Sequence, residues 1–229
     1  MRQLIIFFVL TPLLLCSQSN FEKGEKLFHA KKYKEAGALF EENLKYYPND
    51  IKTLERLADI SAEEKHWEKT ASYYKKLKQL KPTEAEYFYK YGGCLGMRAL
   101  EVNKFKAFGM VDDIKSSFEK AIVLNPKHLP ARWALIELYL QLPGIVGGSE
   151  SKALKYSNEL TKLSPVDGYL SKGRIDEYFK RYDSAEKNYI KAHEIGNSKV
   201  TFQKLYNLYL NKLKEPKKAQ ELKRKFDSK

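Results

Sequence analysis

The sequence predicts an all-α chain built from repeated helix pairs. Three observations carry that prediction. In Tyr33–Pro48, YKEAGALFEENLKYYP, the residues Ala36, Phe40 and Leu44 recur at the helical period and share one face, while Lys and Glu fill the other. A proline closes this stretch at Pro48 and another closes a similar stretch at Pro82, 34 residues later, the kind of fixed spacing that marks stacked supersecondary units. Charged residues make up 31% of the chain, and Gly and Pro number only 12 and 8, which excludes a collagen-like or largely disordered polypeptide.

The N-terminus is set apart from the repeats. Met1 and Arg2 precede LIIFFVLTPLLLC, which is apolar from Leu4 to Cys16 apart from Thr11 and Pro12, and SQSN follows. A charged start, a short apolar run and a small-polar exit describe a secretory signal peptide over residues 1–19, cleaved near Ser17 to Ser19. The run is shorter than the roughly 20 residues of a membrane span. Lipidation at Cys16 is the alternative, because LLLC partly resembles a bacterial lipobox, although Leu15 stands where that motif takes a small residue. The chain is therefore expected to be exported and periplasmic, and attached to a membrane only if Cys16 carries lipid.

Removal of that segment leaves Cys94 alone, so no disulfide can form within the chain, and Cys94 in YGGCLG reads as a small buried helix residue. The formal net charge is +13, yet lysines are spread beside glutamates along every helix instead of gathering in a block. Solvated helix faces account for this distribution, and no nucleic-acid partner is implied.

The units follow in order. The first, 17–50, joins a helix containing Gly24 to the Tyr33–Pro48 helix. The second, 51–84, keeps Leu54, Leu57, Ala58, Tyr74, Leu77 and Pro82, with Thr70 at the small position. The third, 85–126, opens with FYKYGGCLG and closes with SFEKAIVLNP. Its closing Pro126 comes 44 residues after Pro82 instead of 34. The surplus lies in RALEVNKFKAFGMVDD, which itself reads as helical, so either the two helices are lengthened or the turn between them is enlarged. The fourth unit, 127–165, carries a smaller insertion in LPGIVGGSES. The fifth, 166–199, has Gly173, Tyr182, Ala185, Tyr189 and Ala192 in register. A lysine-rich helix pair over 200–229 reads as a solubilising cap.

Gly24, Ala36, Phe40 and Pro48 resemble the tetratricopeptide pattern position by position, lacking its Trp and its second Ala, where Asn43 stands. Tyr91-Gly92, Phe118, Ala121 and Pro126 match the same pattern in the third unit. The resemblance covers nearly all of 20–229. It implies antiparallel helix pairs stacked into a right-handed α-solenoid whose concave groove is lined by the first helix of each pair. Residues 88–154 also resemble a bacterial tetratricopeptide group with an enlarged third repeat and a PGxxGG turn. Some similar periplasmic proteins are accessory partners of transport systems.

Chemistry-bearing patterns are sparse. His29, His66, His128 and His193 fall in different units, and no pair has the spacing of a zinc-binding helix. There is no GxSxG, no Walker-type loop and no dinucleotide turn. Glu63-Glu64 and Asp112-Asp113 are adjacent pairs that do not face each other on a helix. Gly144–Ser149 could offer amides to an anion at the next helix N-terminus, or form a tight turn in which Pro143 stops one helix and Ser149 or Ser151 caps the next. No Lys follows Gly148, which favours the turn. No catalytic, metal-binding or cofactor-binding residue is assigned, and the chain is not expected to be an enzyme.

The tetratricopeptide resemblance places Glu55 and Asp59 of the second unit, Tyr89 of the third, and Trp133 and Glu137 of the fourth on the concave face. Leu170, Arg174 and Tyr178 of the fifth unit and Lys204 and Leu208 of the cap helix join them. Aromatic rings flanked by charges suit an extended peptide or a partner helix. Phe21 and Glu25 stand where some members of the family clamp a carboxylate with Lys and Asn, so that recognition mode is not implied. The expected function is a non-catalytic exported scaffold that binds a protein or peptide in the cell envelope. The alternative is an accessory small-ligand-binding subunit of a transport system.

Overall fold

In the computed structural model, which describes residues 19–228, α1 (Asn20–His29) and α2 (Tyr33–Tyr46) form the first antiparallel pair. The next pairs are α3 (Ile51–Glu63) with α4 (Trp67–Leu80), and α5 (Ala85–Glu101) with α6 (Lys104–Leu124). Then come α7 (Leu129–Gln141) with α8 (Glu150–Leu163), α9 (Pro165–Tyr178) with α10 (Tyr182–Gly196), and α11 (Lys199–Leu208) with α12 (Pro216–Asp227). Each helix packs mainly on its sequence neighbours, and α7 also touches α5 and α9, so the stack grows in one dimension as an α-solenoid. Among the described residues there is no strand, and no helix is long and apolar enough to cross a membrane. The expectations about residues 1–18, Cys16 included, lie outside the described residues.

Two kinds of turn alternate along the stack. Within four of the pairs the chain reverses through one left-handed lysine: Lys31, Lys65, Lys180 and Lys214, with φ of 59°, 58°, 58° and 58°. After the first three, the next amide reaches back to an orphan carbonyl: Lys32 to Leu27 at 2.9 Å, His66 to Ser61 at 2.8 Å and Arg181 to Asp176 at 2.8 Å. This is the Schellman closure of a helix C-terminus. Between pairs, helices start on side-chain caps. Asp50 accepts from the Thr53 amide at 3.3 Å, Ser164 from Asp167 at 3.3 Å and Ser198 from Thr201 at 3.3 Å.

The third and fourth pairs depart from that scheme. α5 and α6 run for 17 and 21 residues, against 13 and 14 in α3 and α4, so the surplus length goes into helix. Asn103, not a left-handed lysine, starts α6 by accepting from the Lys106 amide at 3.1 Å. After α7 the chain makes a 3-10 turn over Gly144–Val146, and the amides of Val146 and Gly148 both donate to the Pro143 carbonyl, at 3.0 and 3.1 Å. Gly147 has φ of +103°, and a Cβ on Gly148 would stand 1.8 Å from the Leu142 carbonyl oxygen. Only glycine fits at either place. Ser149 then caps α8.

Packing repeats one device. Gly24 faces the ring of Phe40, Gly92 that of Phe118 and Gly173 that of Tyr189, so closely that an added Cβ would come within 2.6, 2.9 and 2.4 Å of the ring. Losing the Cβ lets each helix pair close over an aromatic ring, and Phe40 and Tyr189 are fully buried. Asn43 is buried because its amide donates to Thr53 Oγ1 at 2.8 Å and to Asp50 at 3.4 Å, tying the first pair to the second.

Candidate functional site: the groove of the first helices

The first helices of successive pairs (α1, α3, α5, α7, α9) are joined by side chains that reach from each to the next. Arg56 on α3 holds both carboxylate oxygens of Glu25 on α1 and also pairs with Asp59 at 3.4 Å. The Tyr87 hydroxyl on α5 donates to Glu55 at 2.7 Å. His128, the N-cap of α7, accepts from the Ala131 amide at Nδ1, so its Nε2 carries the proton that it directs at Glu86, 3.3 Å away. Trp133 Nε1 donates to Asp167 at 2.8 Å, and Arg174 grips Glu137 with two bonds of 2.8 and 2.9 Å. The spacings of 31 to 42 residues between these partners are one repeat each.

A hollow of about 720 Å³ opens between α5, α7 and the start of α9, lined by Glu86, Tyr89, His128, Trp133, Glu137 and Asp167 among others. The Tyr89 ring leans on His128, with 5.0 Å between centroids, and on Phe118 at 5.9 Å. Burial pushes the Tyr89 hydroxyl above its ordinary range, which keeps it protonated. Burial likewise pushes the Asp59 carboxyl up, against the pull of Lys90 and Arg56.

Of the residues expected on this face, Tyr89, Trp133 and Glu137 come together in the hollow. Arg174 adjoins through Glu137, and Tyr178 lies under the Arg174 guanidinium with 5.8 Å to its centroid. Glu55 and Asp59 sit one repeat earlier, already bonded to Tyr87 and Arg56. Lys204 is exposed on α11, away from the hollow. Leu170 and Leu208 are corrections. They are 6% and 1% exposed and pack in the core cluster of α9–α12, so they hold the fold together and offer no surface to a ligand. The register of the family pattern gives a helix position but not the rotation of each helix against its neighbours, and here that rotation turns both leucines inward. Glu86, His128 and Asp167, which line the hollow, escaped the sequence reading. The one-repeat separation of Trp133 and Asp167 is the signal that could have paired those two.

A second, apolar cleft of about 420 Å³ lies where α5 and α6 diverge from α7, between Met97, Leu100, Phe108 and Val111 on one side and Leu138 and Pro143 on the other. Among the described residues, no group of three or more His, Cys, Asp or Glu is placed to hold a metal ion.

These helix pairs, their glycine–aromatic packing and their groove define the tetratricopeptide-repeat α-solenoid. The fold is similar to that of TTC0263, a thermophilic tetratricopeptide protein of Thermus thermophilus, with TM-score 0.61 and 18% identity over 83% of this chain and 97% of that one. It is similar also to PilW, described as a widely conserved type IV pilus biogenesis factor, with TM-score 0.63 and 16% identity over 91% of each chain. YrrB, a tetratricopeptide protein with an unusual peptide-binding site, superposes with TM-score 0.57 and 15% identity over 80% of this chain and 87% of that one. No protein-family model matches the sequence, and no curated protein matches it.

Proposed function

We propose that the chain is a non-catalytic, exported scaffold that captures a protein or peptide in the concave hollow between α5, α7 and α9. One observation carries this reading. Tyr89 and Trp133 present ring surface in a 720 Å³ concavity whose polar groups are already bonded, Glu86 to His128, Asp167 to Trp133 and Glu137 to Arg174. Pre-bonded walls lose little side-chain entropy on binding, and half-buried aromatics are the usual anchors of a peptide interface. YrrB, described as having an unusual peptide-binding site, agrees in kind. The apolar segment at the N-terminus supports export.

The test is affinity enrichment from the cell envelope with the wild type and with a Tyr89→Ala/Trp133→Ala variant shown by circular dichroism to stay helical. Specific enrichment by the wild type, lost in the variant, is expected. Equal enrichment by both would sink the groove assignment.

A second reading, an accessory subunit that binds a small apolar ligand, is favoured by the 420 Å³ cleft beside α7 and its mainly apolar walls. A ligand of that kind at a hundredfold excess over its dissociation constant would stabilise the fold by about 2.7 kcal/mol. The cleft reading fails if aliphatic and aromatic ligands leave the melting temperature where it was.

A further inference from the structure

The lengthened α6 carries a stripe on which Lys104, Phe105, Phe108 and Asp112 are exposed and Val111 and Lys115 half-buried, with Phe108 and Val111 also lining the apolar cleft. Lys104, Phe105, Phe108, Val111, Asp112 and Lys115 recur at intervals of three and four, so they share one face of the helix. Phe105 is the most exposed aromatic ring among the described residues, at 89%, and Leu100 on the adjoining end of α5 is 73% exposed. Asp112 projects fully into solvent, touching only Lys115 at 3.6 Å, and Lys104 and Lys106 make no ion pair among the described residues. From N- to C-terminus the stripe thus reads cation, rings, anion.

We infer that this stripe is the interface with a second copy of the chain, paired antiparallel about a two-fold axis at Phe108. An isologous contact requires a surface complementary to itself after reversal, and this one is. With Phe108 on the axis, Lys104 stands opposite the partner's Asp112, Phe105 opposite the partner's Val111, and Asp112 opposite the partner's Lys104. The helix dipoles oppose each other as well, which favours antiparallel alignment. Met97, Leu100, Phe105 and Phe108 together expose on the order of 500 Å² per copy, a large part of the roughly 800 Å² per partner of a stable interface. Stems of Lys104 and Lys115 extend that area. An anionic membrane does not fit the same stripe, because Asp112, Asp113 and Glu101 stand exposed among the rings and would be repelled. The interface shares Met97, Leu100, Phe108 and Val111 with the apolar cleft, so it competes with the small-ligand reading, and it does not depend on what the concave hollow binds.

Crosslinking in cells tests it, using the full chain with Cys16→Ser, since Cys94 is buried. Phe108→Cys is expected to give a disulfide-linked dimer under mild oxidation, whereas Ser72→Cys, exposed on α4, gives none. In the Phe108→Cys background, Lys104→Asp or Asp112→Lys each lowers the dimer yield roughly tenfold, because symmetry breaks two ion pairs at once. The combined Lys104→Asp/Asp112→Lys chain restores the yield to within about twofold. All these positions are exposed, so the variants keep the fold. The inference is overturned if Phe108→Cys crosslinks no better than Ser72→Cys, or if the double reversal stays as weak as the single ones. It is overturned too if the chain is monomeric and Phe105→Asp releases it from vesicles containing phosphatidylglycerol, which would make a lipid surface the occupant.

Discussion

Gly173→Ala isolates the close glycine–aromatic approach on which three of the six helix pairs depend. The new methyl would lie 2.4 Å from Cε1 and 2.5 Å from Cδ1 of Tyr189, a ring with no exposed surface. That ring cannot slide freely, because its hydroxyl donates to Glu177 at 2.9 Å. Three terms set the outcome. Alanine in a helix interior gains about 0.5–1 kcal/mol over glycine. Overpacking a filled core costs about 1–3 kcal/mol. Displacing the hydroxyl from a charged acceptor costs about 1.5–3 kcal/mol. The net expectation is a loss of about 3–4 kcal/mol, or about 6–16 °C in melting temperature for a chain of this size. Gly96→Ala is the matched control, since nothing lies within 4 Å of the Cβ it would add to α5. It should keep only the first term and melt about 1–4 °C higher than the wild type. Tyr189→Leu, which removes the obstructing ring, should make the Gly173→Ala penalty smaller by about 1 kcal/mol in a double-mutant cycle. Melting followed by circular dichroism reads all four proteins. If Gly173→Ala is as stable as the wild type, or if Gly96→Ala loses as much, close approach does not explain the glycine.

Three further outcomes follow from the same structure. Replacing Lys31, Lys65 or Lys180 by Gly should each stabilise the chain by roughly 0.5–1 kcal/mol, because a left-handed non-glycine residue costs about 1–2 kcal/mol and glycine's flexibility in the unfolded chain returns part of it. Urea unfolding of the triple variant checks the sum, and a loss of stability would contradict it. Asp59→Asn should stabilise the fold at neutral pH. Burial raises the Asp59 pKa, so between its unfolded and folded values the folded state holds the extra proton, and stability falls as pH rises through that window. The gain over the wild type should vanish below the ordinary carboxylate range; a gain that persists there points to something other than titration. Cys94 should resist maleimide in the native chain at pH 8 and react on unfolding, since burial pushes its thiol up to about 11. Fast native labelling would contradict that burial.

Much of the architecture was legible in the chain because each helix must bury one stripe, and the stripe recurs every three or four residues. Ala36, Phe40 and Leu44 announce α2 whatever packs against it. Glycine opposite an aromatic, as in Gly24 with Phe40, is a local constraint that a sequence displays directly. The turn after α7 was legible for the same reason, since Pro143, Gly147, Gly148 and Ser149 each answer a local backbone demand. The site was only partly legible. Trp133, Tyr89 and Glu137 do meet in one hollow, but Leu170 and Leu208 turned into the core, and Asp167 and His128 entered the hollow unannounced. Helical periodicity fixes which residues share a face of their own helix. It does not fix how far each helix rotates and slides against the next, and that rigid-body relation decides whether a residue meets solvent, a neighbour one repeat away or the core. So the sequence by itself determined the helix pairs, their order and the prolines and glycines that end them. Only the tertiary structure decided that Arg174 grips Glu137, that α6 runs to 21 residues with Phe105 bare on its flank, and that α5 and α6 part from α7 to leave a cleft.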